Sequence, residues 1–119
     1  MATNKNAVKY ATCGTGKNFW CVWREQYTEW QEKLIQQYVV GREATVQDRS
    51  IVSLLAPERL LKLTKYFTLY DGNIKKICRY QQFFAVEEII KTIHTSDPAG
   101  NRQSGVIWHT QGSGKSLTM

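Results

Sequence analysis

Apolar residues in the second half of the chain fall at helical intervals, and this spacing gives a first outline of the structure. In RYQQFFAVEEIIKTIH, residues 79–94, the positions Phe83, Val86, Ile89, Ile90 and Ile93 recur at three- and four-residue steps. That pattern predicts an amphipathic helix of about four turns. Upstream, Thr45 is followed three residues later by Asp48, a helix-capping arrangement, and Ile51, Leu54 and Leu55 continue at helical spacing. Pro57 suits the first turn of a further helix in APERLLKLTKYF, where its missing N–H is no loss, with Leu60, Leu61 and Leu63 as the apolar face. Asp71-Gly72 marks a turn, Ile74 to Cys78 reads as a short extended segment, and TSDPAGNRQ as a polar loop. The compact run Gly105-Val-Ile-Trp-His109 has the length and β-branched content of a buried strand.

The opening of the chain is less regular. A short apolar stretch near Ala7 to Ala11 leads into a CGTG turn and then NFWCVWREQYTEW, which holds three of the four tryptophans. These aromatics read as core or interface anchors before base-stacking platforms, because Trp and Tyr are first of all large surfaces to bury. By composition the chain divides into blocks 1–46, 47–72 and 73–119, without a repeat of fixed period or a low-complexity tract.

Composition narrows the class. With 42% hydrophobic and 22% charged residues, the chain matches a soluble globular protein. It has no apolar run near the roughly 20 residues needed to span a bilayer, so no membrane role is expected. The amino terminus lacks the apolar core of a signal peptide. The three cysteines are scattered without CxxC spacing, which points to a reducing cytoplasm rather than a disulfide framework or metal site. A net charge of +6 makes a polyanion such as DNA a plausible partner, although many mildly basic chains bind none.

The most specific chemistry lies directly after the expected strand, in His109-Thr-Gln-Gly-Ser-Gly-Lys-Ser116. A strand followed by glycines, a lysine and a hydroxyl residue is the sequence form of a phosphate-binding loop entering a helix. Gly112 and Gly114 let the backbone adopt positive φ and bring successive N–H groups onto an anion. Lys115 adds a point charge towards the β- and γ-phosphates and Ser116 a hydroxyl for Mg²⁺. Thr110, Gln111 and Ser113 complete the loop, and Leu117, Thr118 and Met119 begin a helix whose positive end faces the nucleotide. The common pattern GxxxxGK[ST] has Gly where this chain has His109. A second glycine-lysine run, Ala11-Thr-Cys-Gly-Thr-Gly-Lys-Asn18, has Asn18 in the hydroxyl position and bulky aromatics after it, so residues 13–17 read as a turn.

About thirty residues before the loop, Arg79-Tyr80-Gln81-Gln82 opens the amphipathic helix, where a glutamine amide can pair with an adenine edge. The alternative is that Gln81 and Gln82 face solvent and Tyr80 only packs. His94 and His109 have no carboxylate or cysteine placed to suggest catalysis or metal binding.

APERLLKLTKYFTLYDG, IKKICRYQQFFAVEEII and GVIWHTQGSGKSLTM together resemble the R (motor and nuclease) subunit of type I restriction-modification enzymes, with a weaker match through VKYATCGTGKNFWCVWRE. The resemblance covers roughly residues 7 to 119, and it implies that His109 is ordinary at its position. It further implies an α/β fold class: a mostly helical fragment leading into the first strand and P-loop of a RecA-like helicase domain. Residues 1–46 would then close the nuclease-side region, 47–72 form a helical linker, and 73–119 begin the first motor domain. Gln82 looks like the glutamine of the helicase Q motif, with Arg79 and Tyr80 beside the adenine, and Lys115 and Ser116 like the motif I residues that hold ATP and Mg²⁺. The implied partners are double-stranded DNA and the methyltransferase and specificity subunits of the restriction complex. In such subunits a PD-(D/E)xK nuclease domain precedes two motor domains that translocate duplex DNA. The chain shows no nuclease signature, DExH box or arginine finger, so a truncated piece without ATPase or nuclease activity of its own is expected. The rival expectations are another helicase-like nucleic-acid ATPase, or a small non-catalytic interaction protein.

Overall fold

The structure is a computed structural model that describes residues 1–108, 111, 112 and 114–118. Backbone contacts divide the chain into two units, residues 1–78 and 79–119.

The first unit opens with a hairpin, β1 (Ala2–Asn4) and β2 (Ala7–Lys9), in antiparallel register from Ala2 opposite Lys9 to Asn4 opposite Ala7. Asn4 makes the turn, its Oδ1 accepting from the N–H groups of Asn6 and Ala7, each at 2.9 Å. Tyr10 and Cys21 then pair across a loop. That loop is the turn expected at residues 13–17: Gly14 has φ +81°, and Thr15 O accepts from Trp20 Nε1 at 2.9 Å.

The next segment corrects the irregular reading of the first block, because α1 occupies Glu29–Tyr38. It is set by a capping box in which Thr28 Oγ1 accepts from the Gln31 N–H at 3.3 Å and Gln31 Oε1 from the Thr28 N–H at 2.8 Å. The helix buries only Ile35, so its apolar stripe is too thin to show as a period.

Helix α2 (Val46–Leu55) begins at the expected cap. Asp48 Oδ2 accepts from the Thr45 N–H at 2.8 Å, and a two-pronged Arg42 guanidinium holds the same carboxylate at 2.6 and 2.9 Å. The guanidinium and the Thr45 bonds hold the Asp48 carboxyl well below the usual carboxylate range. Helix α3 (Pro57–Tyr66) has Pro57 in its first turn, as expected. Of the expected apolar faces, Leu54 and Leu63 are buried while Leu55, Leu60 and Leu61 are exposed. Helix α2 packs against α1, α3 and β2, and Ile35, Val39 and Ala44 form a core with Tyr27 and Val52 against it.

A second hairpin, β3 (Thr68–Asp71) and β4 (Ile74–Ile77), closes the unit around Gly72, whose φ of +59° suits the first position of a tight two-residue turn. The expected Asp71-Gly72 turn is therefore present, and the boundary between blocks at 72/73 lies inside this hairpin.

The second unit is built on α4 (Tyr80–His94), the helix read from the apolar period. The polar loop after it is tied back on itself: Ser96 bridges to Arg102, and Asp97 N donates to Asn101 O at 2.9 Å. The strand expected at 105–109 does not form over residues 105–108, where Val106 is 94% and Trp108 92% exposed. His109 lies outside the described residues. A buried parallel strand needs a neighbouring strand to take its N–H and C=O groups, and both sheets among the described residues are two-stranded and antiparallel. The helix expected after the loop is present as a single 3₁₀ turn, Lys115–Leu117. No helix among the described residues is long and apolar enough to cross a membrane.

Candidate nucleotide-binding site

The site grows from the first turn of α4. Arg79 is extended, with φ −82° and ψ 158°, and its C=O accepts from the Phe83 N–H at 3.1 Å. The Arg79 N–H has no partner within the helix, and Gln82 Oε1 accepts from it at 2.7 Å. This fold-back directs the rest of the Gln82 amide away from solvent, and the residue is 6% exposed. Its Nε2 donates to Gly114 O at 2.8 Å, while Arg79 Nη1 donates to Gly112 O at 3.2 Å. One helical turn thus holds two carbonyls of the expected phosphate loop.

Both loop glycines carry the backbone expected of them, with φ +76° at Gly112 and +85° at Gly114. Gly114 is needed twice over, since a Cβ there would stand 2.7 Å from Gln82 Nε2. Gln111, Lys115 and Ser116 are exposed, so the ammonium and the hydroxyl are open to an anion. Thr118 N–H donates to Lys115 O at 2.9 Å. Thr110 and Ser113 lie outside the described residues.

Gln82 is therefore not the solvent-facing residue that the alternative reading described. Tyr80 is half-buried, and among the described residues no hydrogen bond joins it to the loop. Gln81 Oε1 is buried without a hydrogen-bond partner among the described residues.

A second polar cluster, which the sequence did not reveal, lies in the first unit around Glu25. Its carboxylate accepts from Trp23 Nε1 at 3.0 Å, Gln31 Nε2 at 3.3 Å, Arg59 Nη2 at 3.0 Å, and from Ser53 Oγ and Arg59 Nη1. The Arg59 guanidinium also lies 5.5 Å from the centre of the Trp23 ring. Burial alone would raise the Glu25 carboxyl, but the Arg59, Ser53 and Trp23 bonds outweigh it and leave the group lowered. A catalytic carboxylate needs a free lone pair; this one is surrounded by donors and acts as an anchor. Burial, with Cys21 nearby, pushes the Cys78 thiol up to about 12, which leaves it unreactive at neutral pH.

Residues 81–119 match the SWI2/SNF2 ATPase family, which suggests a P-loop, helicase-like domain in that part of the chain. The chain as a whole is related to the endonuclease subunits of type I restriction enzymes. It is 44% identical over 72 residues, 56% of its length, to the type I restriction enzyme HindI endonuclease subunit of Haemophilus influenzae. Two proteins of Methanocaldococcus jannaschii, provisionally named as the MjaVIIP and MjaIXP endonuclease subunits, are each 34% identical, over 71% and 66% of this chain. The chain spans only 7 to 8% of the length of these relatives. No solved structure matches it. The resemblance read from RYQQFFAV and WHTQGSGKSLTM is thus borne out, whereas the RecA-like sheet is not seen among the described residues.

Proposed function

We propose that the chain is the ATP-binding segment of a type I restriction enzyme R subunit, whose full-length form couples ATP hydrolysis to DNA translocation and endonucleolytic cleavage. The observation that carries this reading is the pair of positive-φ glycines, Gly112 and Gly114, directly before an exposed Lys115 and Ser116. Such a backbone turns successive N–H groups towards one point, which suits a phosphate. In this reading Thr110 to Ser116 cradle the phosphates, and Lys115 neutralises charge on the β- and γ-groups. The Ser116 hydroxyl would hold Mg²⁺, which offsets phosphate charge when bound. The first turn of α4, with Arg79, Tyr80 and Gln82, supplies the adenine side. Residues 1–46 and 47–72 serve as the nuclease-side region and linker, and 73–119 as the start of the motor domain. Double-stranded DNA, consistent with the net charge of +6, and the methyltransferase and specificity subunits are the proposed partners, in the cytoplasm.

Titration of the chain with ATP·Mg²⁺ tests the reading: Lys115→Ala should weaken binding at least tenfold, since a charged phosphate contact is lost. Equal binding by both chains would sink it. In a full-length R subunit the same change should abolish ATP-dependent translocation and cleavage while subunit assembly persists. The family match leaves a second reading open, another helicase-like nucleic-acid-dependent ATPase, for which DNA cleavage would be absent.

A further inference from the structure

We infer that Arg79 and Gln82 brace the phosphate loop in the nucleotide-free protein, a positioning role separate from any contact with a base. This rests on reading residues 110–116 as the nucleotide site. The loop's useful groups are its N–H donors, which a nest converges on an anion, so a hold on the loop's carbonyls leaves those donors unused. Two of those carbonyls are held from the helix side, Gly112 O by Arg79 Nη1 at 3.2 Å and Gly114 O by Gln82 Nε2 at 2.8 Å. The amide of Gln82 cannot swing freely, because its Oε1 is held by the Arg79 N–H at 2.7 Å and the residue is 6% exposed. One side chain therefore closes the end of α4 and fixes the loop in the same geometry. The closeness of Gly114, where a Cβ would meet Nε2 at 2.7 Å, shows how little slack the brace has. A loop held in this way meets a phosphate already shaped, so less ordering is required on binding.

The brace predicts that both residues matter to a ligand with no base at all. The deciding measurement is ¹⁵N relaxation of the Gly112 and Gly114 amides in the nucleotide-free chain. In the wild type their order parameters should lie near the rigid value of about 0.85, and in Gln82→Glu that of Gly114 should fall towards about 0.6. Gln82→Glu keeps the acceptor for the Arg79 N–H but has no donor for Gly114 O, so it separates the brace from the helix cap. Arg79→Ala should loosen Gly112 in the same way, and Arg79→Lys, which keeps one donor, should restore much of it. Unchanged relaxation in both Gln82→Glu and Arg79→Ala would overturn the brace whether or not nucleotide binds. The second measurement titrates inorganic tripolyphosphate and ATP. Gln82→Glu, which loses only the bond to Gly114 O, should weaken both, by about three- to tenfold for that one hydrogen bond. Weakening confined to ATP would overturn the brace and leave Gln82 as a base reader. A wild-type chain that binds neither ligand would overturn the nucleotide reading, with the relaxation result still deciding the brace.

Discussion

The two units of the chain use their polar side chains differently. In residues 1–78 the densest bonds run from side chain to side chain, with Glu25 receiving Trp23, Gln31, Ser53 and Arg59. In residues 79–119 the equivalent bonds run from side chain to loop backbone, from Arg79 to Gly112 O and from Gln82 to Gly114 O. The first arrangement neutralises a buried charge and so stabilises a core. The second leaves the charged and hydroxyl groups of Lys115 and Ser116 exposed and fixes only the backbone that carries them. If residues 110–116 hold phosphate as proposed, stability and binding rest on separate polar networks, and a mutation in one should leave the other's readout unmoved.

The largest expected effect is on the first network. Glu25→Ala removes the carboxylate of the Glu25–Arg59 pair, a loss that typically costs about 3 to 5 kcal/mol for a buried ion pair. Denaturant titration should show this loss, and Glu25→Gln, which keeps one acceptor, a smaller one. A change below about 1 kcal/mol would mean that the Glu25 cluster is no more than a surface pair.

Acid should separate the units next. Glu25, Asp48 and Asp71 in the first unit are all lowered in the fold, against Asp97 alone among the described residues of the second. A carboxyl whose folded pKa lies below its unfolded value stabilises the fold above the unfolded value and ceases to do so as pH falls through the folded one. The ordinary values are 4.5 for Glu25 and 3.8 for the aspartates, so stability should be level at neutral pH and fall below about pH 4.5. Glu25→Gln should flatten that acid limb. An acid limb as steep in Glu25→Gln as in the wild type would remove Glu25 from this account.

Loss of a single cap is smaller. Thr45→Ala removes the hydroxyl that accepts from the Asp48 N–H at 3.3 Å and should cost about 1 kcal/mol in thermal unfolding. Thr28→Ala should act similarly on α1. Neither change should alter tripolyphosphate binding; if either does, the two networks are not independent.

Legibility in the sequence followed the range of the interaction. Helix α4 was readable because its apolar positions repeat along the helix itself, and α2 because Thr45 and Asp48 stand three residues apart. The glycine conformations were readable because positive φ is a property of the residue. Helix α1 has no apolar period because it buries only Ile35, and its local signal is the capping pair Thr28 and Gln31, of the same kind as Thr45 and Asp48. The Glu25 cluster gave no signal, since Ser53 is 28 and Arg59 34 positions away in sequence, and no local pattern links them. Residues 105–108 failed in the opposite direction: their composition suits a strand, but a strand is a pairing, and no described strand pairs with them. The backbone of the two glycines in the proposed phosphate loop was therefore legible in the sequence, while the bonds that reach their carbonyls from Arg79 and Gln82, more than thirty positions away, were not.

The smallest effect tests whether the second unit has any network beyond the brace. Asp97 organises the loop after α4, its Oδ1 accepting from the Asn101 N–H at 2.8 Å and its Oδ2 from Asn101 Nδ2 at 3.3 Å. The Gly100 N–H returns to Asp97 O at 2.9 Å, at a φ of +83°. These bonds are exposed, so water can replace much of what a mutation removes. Asp97→Ala should then leave global unfolding nearly unchanged and speed amide exchange at Asn101 by a few-fold. Because the loop joins α4 to the run that leads into residues 111–118, the same variant also reports on the brace. If Arg79 and Gln82 fix the phosphate loop from the helix side, loosening the intervening loop should not change tripolyphosphate affinity. A clear loss would show instead that the loop's position depends on the tension of the connecting chain.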